Sequence, residues 1–165
     1  MSDSDKIPVP FTVIGGFLGA GKTTLLNHLL KQSSGIRFAV LVNDFGDLNI
    51  DESLISSHEG QTISLANGCV CCSISDDFNQ TMINLVNRIE EFDQVLVEAS
   101  GVSEPDRIMD IARLDPELSP SGIVVLVDAA QVQNRSKDPY INNIVLKQLQ
   151  AAELLIVNKT DLVSR

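Results

Sequence analysis

Short runs of apolar residues recur along the chain, and polar or helix-forming stretches separate them. Five of these runs are rich in β-branched residues and do not alternate with polar positions; they span residues 11–14, 38–42, 95–97, 123–127 and 154–157. Unbroken apolar runs of this length are typical of parallel strands that are covered on both faces. Residues 61–65 form a further, weaker strand candidate.

Helix-forming stretches lie between these runs, at residues 22–32, 76–91, 104–113 and 141–151. Strands that alternate with helices predict a parallel sheet with right-handed crossovers and with helices on both faces. The expected fold class is therefore α/β, in three layers around a mainly parallel central sheet. Pro8 and Pro10 keep the N-terminus extended, so residues 1–10 are predicted to be a flexible lead-in and residues 11–165 the folded domain.

The composition is that of a globular and strongly acidic chain. Its 165 residues are 44% hydrophobic and 21% charged, and the formal net charge is −10. That charge argues against a surface for nucleic acid or for an anionic membrane. No apolar run approaches the roughly 18 residues of a membrane-spanning helix, and the N-terminal residues lack an apolar signal core. We therefore expect a cytoplasmic protein that has neither nucleic acid nor membrane as a partner.

The first candidate site is a P-loop, because residues 16–23 match the pattern G-x-x-x-x-G-K-[ST] between a predicted strand and a predicted helix. Glycines let the backbone turn its N–H groups inward, at a helix N-terminus that favours anions. Lys22 can reach the β- and γ-phosphates, and the Thr23 hydroxyl can ligate Mg²⁺. The phosphate cradle is expected to comprise Gly19, Ala20, Gly21, Lys22, Thr23 and Thr24. The alternative is a glycine-rich turn that opens an ordinary helix.

Polar residues follow the ends of the other predicted strands, where open α/β sheets bind their ligands. Asp44 and Glu98 are the carboxylates expected near Mg²⁺, which they would hold through its bound waters. Asp128 also follows an apolar run, and the pattern alone does not rank Glu98 above it. The Gly101 N–H is expected to reach the γ-phosphate. Either carboxylate alone could instead be a turn residue or a helix cap.

The tetrapeptide Asn158-Lys159-Thr160-Asp161 fits the N-K-x-D pattern of guanine-specific proteins. The Asp161 carboxylate can accept hydrogen bonds from N1–H and the 2-amino group of guanine, whereas adenine offers neither donor. An unpaired buried polar group costs about 1–3 kcal/mol, so this loop predicts GTP and GDP as ligands rather than ATP. Asn158 can tie the loop to the P-loop, and the Lys159 stem can lie along the base. Asp161 as a simple helix cap is the alternative.

All three cysteines of the chain lie within four residues, at Cys69, Cys71 and Cys72. An odd and clustered set is not a disulfide framework. Three thiolates this close can hold one Zn²⁺ or a related metal ion, with a carboxylate, a water or His58 in the fourth position. Buried thiols that pack as small apolar groups, or a redox pair, are the alternatives.

With these motifs in this order, the chain resembles the CobW-type P-loop GTPases, a family of metallochaperones related to the GTPases that mature urease and hydrogenase. The resemblance covers residues 11–161, and its discriminating motif is Gly-Cys-Val-Cys-Cys at residues 68–72. It implies a P-loop NTPase fold and selects Glu98 as the carboxylate on the magnesium side. It also implies an internal zinc or cobalt site at the three cysteines. Because such proteins are about twice this length, the chain is expected to be an N-terminal GTPase-domain fragment.

The function expected from these features is a GTPase with slow intrinsic turnover, in which Lys22, Asp44 and Glu98 serve catalysis. The GTP cycle would control zinc or cobalt binding at the cysteines, because they lie between the two segments expected to sense the γ-phosphate. Expected partners are GTP and a client metalloprotein, with the chain a monomer or a nucleotide-dependent dimer. The alternatives are a P-loop ATPase or kinase with incidental or redox cysteines, and a metal-buffering module.

Overall fold

The computed structural model describes residues 7–32, 35–42, 62–64 and 76–163, without side chains at 62–64 and 76–79. A single parallel sheet of six strands, in the order β3-β2-β4-β1-β5-β6, forms its centre. The strands are β1 Val9–Gly16, β2 Phe38–Val42, β3 Thr62–Ser64, β4 Gln94–Glu98, β5 Leu118–Asp128 and β6 Leu154–Asn158. All six predicted strands are present, and the α/β class is confirmed.

In the described parts of the chain, five α-helices connect these strands: α1 Lys22–Gln32, α2 Asp76–Val86, α3 Pro105–Leu114, α4 Val132–Arg135 and α5 Asn142–Ala151. The helix predicted over residues 76–91 is too long. It ends at Val86, and Ile89–Glu91 form a separate 3₁₀ turn. Ile89 and Phe92 continue the apolar spacing of α2 and are buried, which explains why the pattern indicated one helix.

The first strand begins at Val9, so the prediction that the lead-in extends through residue 10 is wrong for its last two residues. Val9 and Pro10 lie opposite Leu118 and Ser119 of β5. The Val9 N–H donates to the Glu117 carbonyl, whereas pairing with β4 starts only at Phe11. The backbone nitrogen of Pro10 therefore points to the side of β1 where no strand of the described structure pairs at this level, so the missing N–H costs no hydrogen bond there.

Two apolar clusters lie on opposite faces of the sheet. Strand β2 shows the division, because Ala39 and Leu41 join the larger cluster while Val40 and Val42 join the smaller one. The larger cluster packs beneath α2, α3 and α5, and the smaller one beneath α1. Alternate residues of a strand point to opposite faces, so an unbroken apolar run is covered on both sides. This is the predicted three-layer arrangement.

Strand β6 departs from that expectation. Leu154, Leu155 and Val157 are 56%, 46% and 52% exposed. This strand is an edge of the sheet, and α5 packs against β1 and β5 instead. The prediction of full coverage is therefore wrong for β6 within the described structure. No helix in the described part of the chain is long and apolar enough to cross a membrane.

Candidate nucleotide-binding site

The P-loop connects β1 to α1 at the carboxyl edge of the sheet. Gly21 has a φ of +105°, and a Cβ there would lie 2.5 Å from the Asn158 amide nitrogen. Gly16 has a φ of +132°, and its Cβ would lie 2.3 Å from the Leu126 carbonyl oxygen. Both positions combine a left-handed backbone with a close neighbour, so only glycine fits. The loop therefore has the tight curvature that a phosphate cradle requires.

Thr23 and Glu98 are in direct contact. The Thr23 hydroxyl donates a hydrogen bond of 2.8 Å to Oε1 of Glu98. The contact follows from the sheet, because Glu98 ends β4 and pairs with Ile14 of β1 just before the P-loop begins. A hydroxyl and a carboxylate are the hard oxygen ligands that Mg²⁺ prefers. These two residues thus fit the predicted magnesium side of the site.

Lys22 is the first residue of α1 and is 8% exposed. Its ammonium group donates to the Phe17 carbonyl at 3.4 Å, so the side chain curls back over the loop that precedes it. That position places a cation within the cradle formed by the P-loop backbone. Thr24 follows in the same helical turn and is exposed.

Asp128 lies on the other side of β1, at the end of β5, and is 4% exposed. Its Oδ2 accepts a hydrogen bond of 2.8 Å from the Lys159 ammonium, and its Oδ1 accepts one of 3.0 Å from the Ala130 N–H. The hydrogen bond from Lys159 lowers the pKa of Asp128 most, the Ala130 N–H adds to this, and burial opposes both. Asp128 therefore belongs with the predicted base-binding loop and does not compete with Glu98 for Thr23.

Asn158 ties the N-K-x-D loop to the P-loop, as the sequence predicted. Its amide nitrogen donates to the Ala20 carbonyl at 2.9 Å, and its Oδ1 accepts from the Lys159 N–H at 2.9 Å. Lys159 adopts a left-handed conformation with a φ of +58°. Asp161 follows in a 3₁₀ turn and is exposed, so its carboxylate is accessible to a ligand.

The turn after β4 packs directly on the P-loop. Gly101 is buried, and a Cβ there would lie 2.6 Å from the Leu18 side chain and 2.7 Å from the Leu18 nitrogen. The turn is closed internally because both the N–H and the hydroxyl of Ser103 donate to the Ser100 carbonyl. The Ser100 hydroxyl is 3% exposed and has no hydrogen-bond partner within the described structure. A buried orphan hydroxyl beside the P-loop is consistent with a polar ligand at this turn.

Two residues near the site were missed by the sequence analysis. Arg135 of α4 donates to the Leu18 carbonyl at 2.8 Å and lies over the Phe17 ring, 4.8 Å from its centroid. Gln148 of α5 is 2% exposed and donates to the carbonyls of Gly101 and Ser103. The available signal was a glutamine at a core-facing position of an amphipathic helix. Its partners lie more than 40 residues away, which the sequence does not show.

The predicted metal-binding cysteines, Cys69, Cys71 and Cys72, lie outside the described residues, as do Asp44 and His58. Among the side chains that the structure describes, no three His, Cys, Asp or Glu groups come together in a way that could hold a metal ion. The residues that the structure does bring together are those predicted for the nucleotide side: Lys22, Thr23, Glu98, Gly101, Asn158 and Lys159.

Fold and site together define a P-loop nucleotide-binding protein of the α/β class. The chain belongs to the CobW/HypB/UreG family, whose nucleotide-binding-domain model matches residues 10–165.

Characterised relatives are similar over almost the whole chain. It is 34% identical to the zinc chaperone CobW of a Sinorhizobium species, over 94% of this chain and 52% of the relative. It is 36% identical to zinc-regulated GTPase metalloprotein activator 1 of Schizosaccharomyces pombe, over 98% of this chain and 41% of the relative. It is 33% identical to the zinc chaperone YjiA of Escherichia coli, over 93% of this chain and 50% of the relative. The chain thus spans about half the length of these relatives.

Solved structures agree on the fold. A zinc-bound triple variant of the YjiA GTPase superposes with a TM-score of 0.66 at 24% identity, over 94% of this chain and 51% of that one. The hydrogenase maturation factor HypB of Archaeoglobus fulgidus superposes with a TM-score of 0.63 at 20% identity, over 93% of this chain and 68% of that one. The predicted three-layer P-loop fold is confirmed.

Proposed function

We propose that this chain is the GTP-binding and GTP-hydrolysing domain of a metallochaperone, and that its GTP cycle controls zinc held at Cys69, Cys71 and Cys72. The observation that carries the nucleotide part is the bonding of the P-loop on both flanks. On one flank Thr23 contacts Glu98, and on the other Ala20 is tied to Asn158. A triphosphate, its metal ion and its base would meet these groups along one edge of the sheet.

Guanine is the expected base because Asp161 is exposed at the end of a loop that Asn158 fixes to the P-loop. A carboxylate there can pair with the N1–H and the 2-amino group of guanine. With adenine it would remain unpaired, at a cost of about 1–3 kcal/mol, which is roughly 5- to 150-fold in affinity. ATP that competes as well as GTP would instead favour the alternative of a generic P-loop hydrolase or kinase.

Hydrolysis would rely mainly on positioning and charge. The Lys22 ammonium would neutralise charge on the β- and γ-phosphates, and the Gly101 N–H would donate to the γ-phosphate. Mg²⁺ would supply further neutralisation of the phosphate charge. Thr23 would hold that ion directly, and Glu98 and Asp44 would do so through its waters. We assign Asp44 to positioning the attacking water, and we expect slow intrinsic turnover.

Zinc is the proposed cargo, because thiolates suit it and because the relatives cited above are named zinc chaperones or a zinc-regulated GTPase activator. Cobalt is compatible with the same three thiolates. In sequence the cysteines lie between Asp44 and Glu98, so a segment ordered by the γ-phosphate would also order the thiolates. The released metal would pass to a client metalloprotein in the cytoplasm. We expect a monomer or a nucleotide-dependent dimer.

The proposal is tested by turnover and metal analysis on the same preparations. Lys22→Ala should abolish nucleotide binding or turnover, whereas Lys31→Ala, at an exposed lysine of the same helix, should leave both unchanged. Protein loaded with a GTP analogue and Mg²⁺ should contain one zinc, and a variant with all three cysteines changed to serine should contain none. Unchanged turnover in Lys22→Ala would refute the nucleotide site. Equal zinc in the serine variant would refute the metal site.

A further inference from the structure

Gln148 is the least expected polar residue of the interior. It lies on α5 between Val145 and Leu149, which pack into the apolar interior, and it is only 2% exposed. Burying an amide is unfavourable unless its donors find partners. Its Nε2 donates to the Gly101 carbonyl at 3.1 Å and to the Ser103 carbonyl at 3.0 Å. Both hydrogens of the amide are therefore committed to one turn, the turn that follows Glu98.

The backbone of that turn is fixed from two sides. The Ser100 carbonyl accepts from the Ser103 N–H at 3.0 Å and from the Ser103 hydroxyl at 2.8 Å. In a trans peptide the N–H points opposite to the C=O, so these bonds set the direction of the Gly101 N–H. Gln148 holds the next peptide through the Gly101 carbonyl, and it holds Ser103 in place through that residue's own carbonyl. Neither peptide beside Gly101 can rotate without losing a buried hydrogen bond.

The turn also lies against the phosphate cradle. Gly101 approaches Leu18 so closely that a Cβ would overlap the Leu18 nitrogen. Gln148 itself lines a small cavity together with Phe17 and Ala20 of the P-loop. A displacement of the turn would therefore move the Gly101 N–H relative to the site of the terminal phosphate. The α- and β-phosphates, which would contact the P-loop itself, would be less affected.

We infer that Gln148 is a positioning residue for recognition of the γ-phosphate, so that α5 determines how strongly the site prefers a nucleoside triphosphate to a diphosphate. This inference rests on the proposed function and adds a specificity determinant to it. If the glutamine only stabilised the fold, its replacement would lower the affinities for both nucleotides by the same factor. If it positions the Gly101 N–H, its replacement lowers the affinity for the triphosphate more than the affinity for the diphosphate.

The test compares Gln148→Met with Gln150→Met. Methionine keeps an unbranched side chain of similar length and removes both donors. Gln150 is exposed on the same helix and is the matched control. Affinities for GDP and for a non-hydrolysable GTP analogue are measured in Mg²⁺. We expect Gln148→Met to weaken binding of the analogue about tenfold, the scale of two lost hydrogen bonds. GDP binding should change less than about threefold, and Gln150→Met should change neither affinity.

The inference is overturned if the ratio of the two affinities is unchanged in Gln148→Met, whether both affinities stay at the wild-type value or both fall by the same factor. Ser103→Ala provides a second, independent variant, because it removes the hydroxyl bond to Ser100 while leaving α5 intact. It should shift the ratio in the same direction, and an unchanged ratio in folded Ser103→Ala would overturn the inference even if Gln148→Met fails to fold. Failure of the proposed function is distinguishable, since the wild-type chain itself would then fail to bind the GTP analogue.

Discussion

The Lys159 ammonium lies 2.8 Å from Oδ2 of Asp128, and this ion pair joins the N-K-x-D loop to the end of β5. Asp128 is almost fully buried, whereas Lys159 is about one-third exposed. Lys159 also adopts a left-handed backbone conformation, which is rare outside glycine. The carboxylate thus anchors a lysine stem that we expect to lie along the guanine base.

Asp128→Asn is predicted to weaken GDP binding about tenfold, because it removes one partner of a charge-assisted hydrogen bond worth roughly 1.5–3 kcal/mol. Asparagine can still accept the Ala130 N–H through Oδ1, so the turn should persist. Equilibrium titration with a fluorescent GDP measures the effect. Asp106→Asn, at an exposed position of α3, is the control and should bind GDP as the wild type does. Wild-type affinity in Asp128→Asn would show that the pair does not support the base site.

Glu98→Gln is predicted to abolish most of the tightening that Mg²⁺ gives to nucleotide binding and to slow turnover about 100-fold. Glutamine can still accept the Thr23 hydroxyl, but it lacks the charge that attracts the cation. GDP affinity without Mg²⁺ should be unchanged. Titrations with and without Mg²⁺ test this, with Glu153→Gln, at an exposed glutamate, as the control. If Mg²⁺ tightens nucleotide binding in Glu98→Gln as much as in the wild type, Glu98 does not help to hold Mg²⁺.

Gly21→Ala should destabilise the P-loop and weaken nucleotide binding more than tenfold. The left-handed backbone costs an alanine about 1–3 kcal/mol, and the new Cβ would displace the Asn158 amide from Ala20. Gly35→Ala separates the two effects, because Gly35 has a φ of +85° but no atom of the described residues lies within 4 Å of its Cβ position. It should lower the melting temperature while leaving nucleotide affinity intact. Equal nucleotide affinity in both variants would contradict the proposed role of the Gly21–Asn158 contact.

Acid should weaken the start of β2 and β4, which an ion pair joins. The Arg37 guanidinium contacts both carboxylate oxygens of Asp93 and lowers the pKa of that carboxyl from 3.8 to about 2. Because the folded pKa lies below the unfolded one, the stabilisation is complete above about pH 4 and is lost as the pH falls towards 2. Asp93→Asn should therefore reduce the pH dependence of unfolding in this window. Urea denaturation at pH 5, 3.5 and 2.5 gives the free energy of unfolding at each pH. If this free energy falls with pH in Asp93→Asn as steeply as in the wild type, the prediction is contradicted.

The sequence predicts those parts of the site that local motifs carry. The P-loop and the helix over residues 22–32 each depend on spacing within a short segment. The tie from Asn158 to Ala20 joins residues 138 apart, and it is predictable because each end lies in a recognisable motif. Glu98 and Asp128 could not be separated on pattern, because each follows an apolar run. Strand order separates them: β4 and β5 flank β1 on opposite sides, so one carboxylate meets Thr23 and the other meets Lys159.

Long-range contacts explain what the sequence did not predict. Gln148 and its partner Gly101 are 47 residues apart, and Arg135 and Leu18 are 117 apart. The exposure of β6 within the described structure likewise depends on where α5 packs, which periodicity does not determine. Pro10 suggested an extended tail, yet β1 accepts it, because within the described structure no strand pairs with that side of β1 at the level of Pro10.

Coupling between the GTP cycle and the metal site is tested most directly by the zinc affinity of this chain in two nucleotide states. Zinc binding is titrated against a competing chelator, once with a GTP analogue and Mg²⁺ and once with GDP and Mg²⁺. The account predicts tighter zinc binding with the analogue, and by linkage zinc must tighten binding of the analogue relative to GDP by the same factor. Equal zinc affinity in the two states would contradict it.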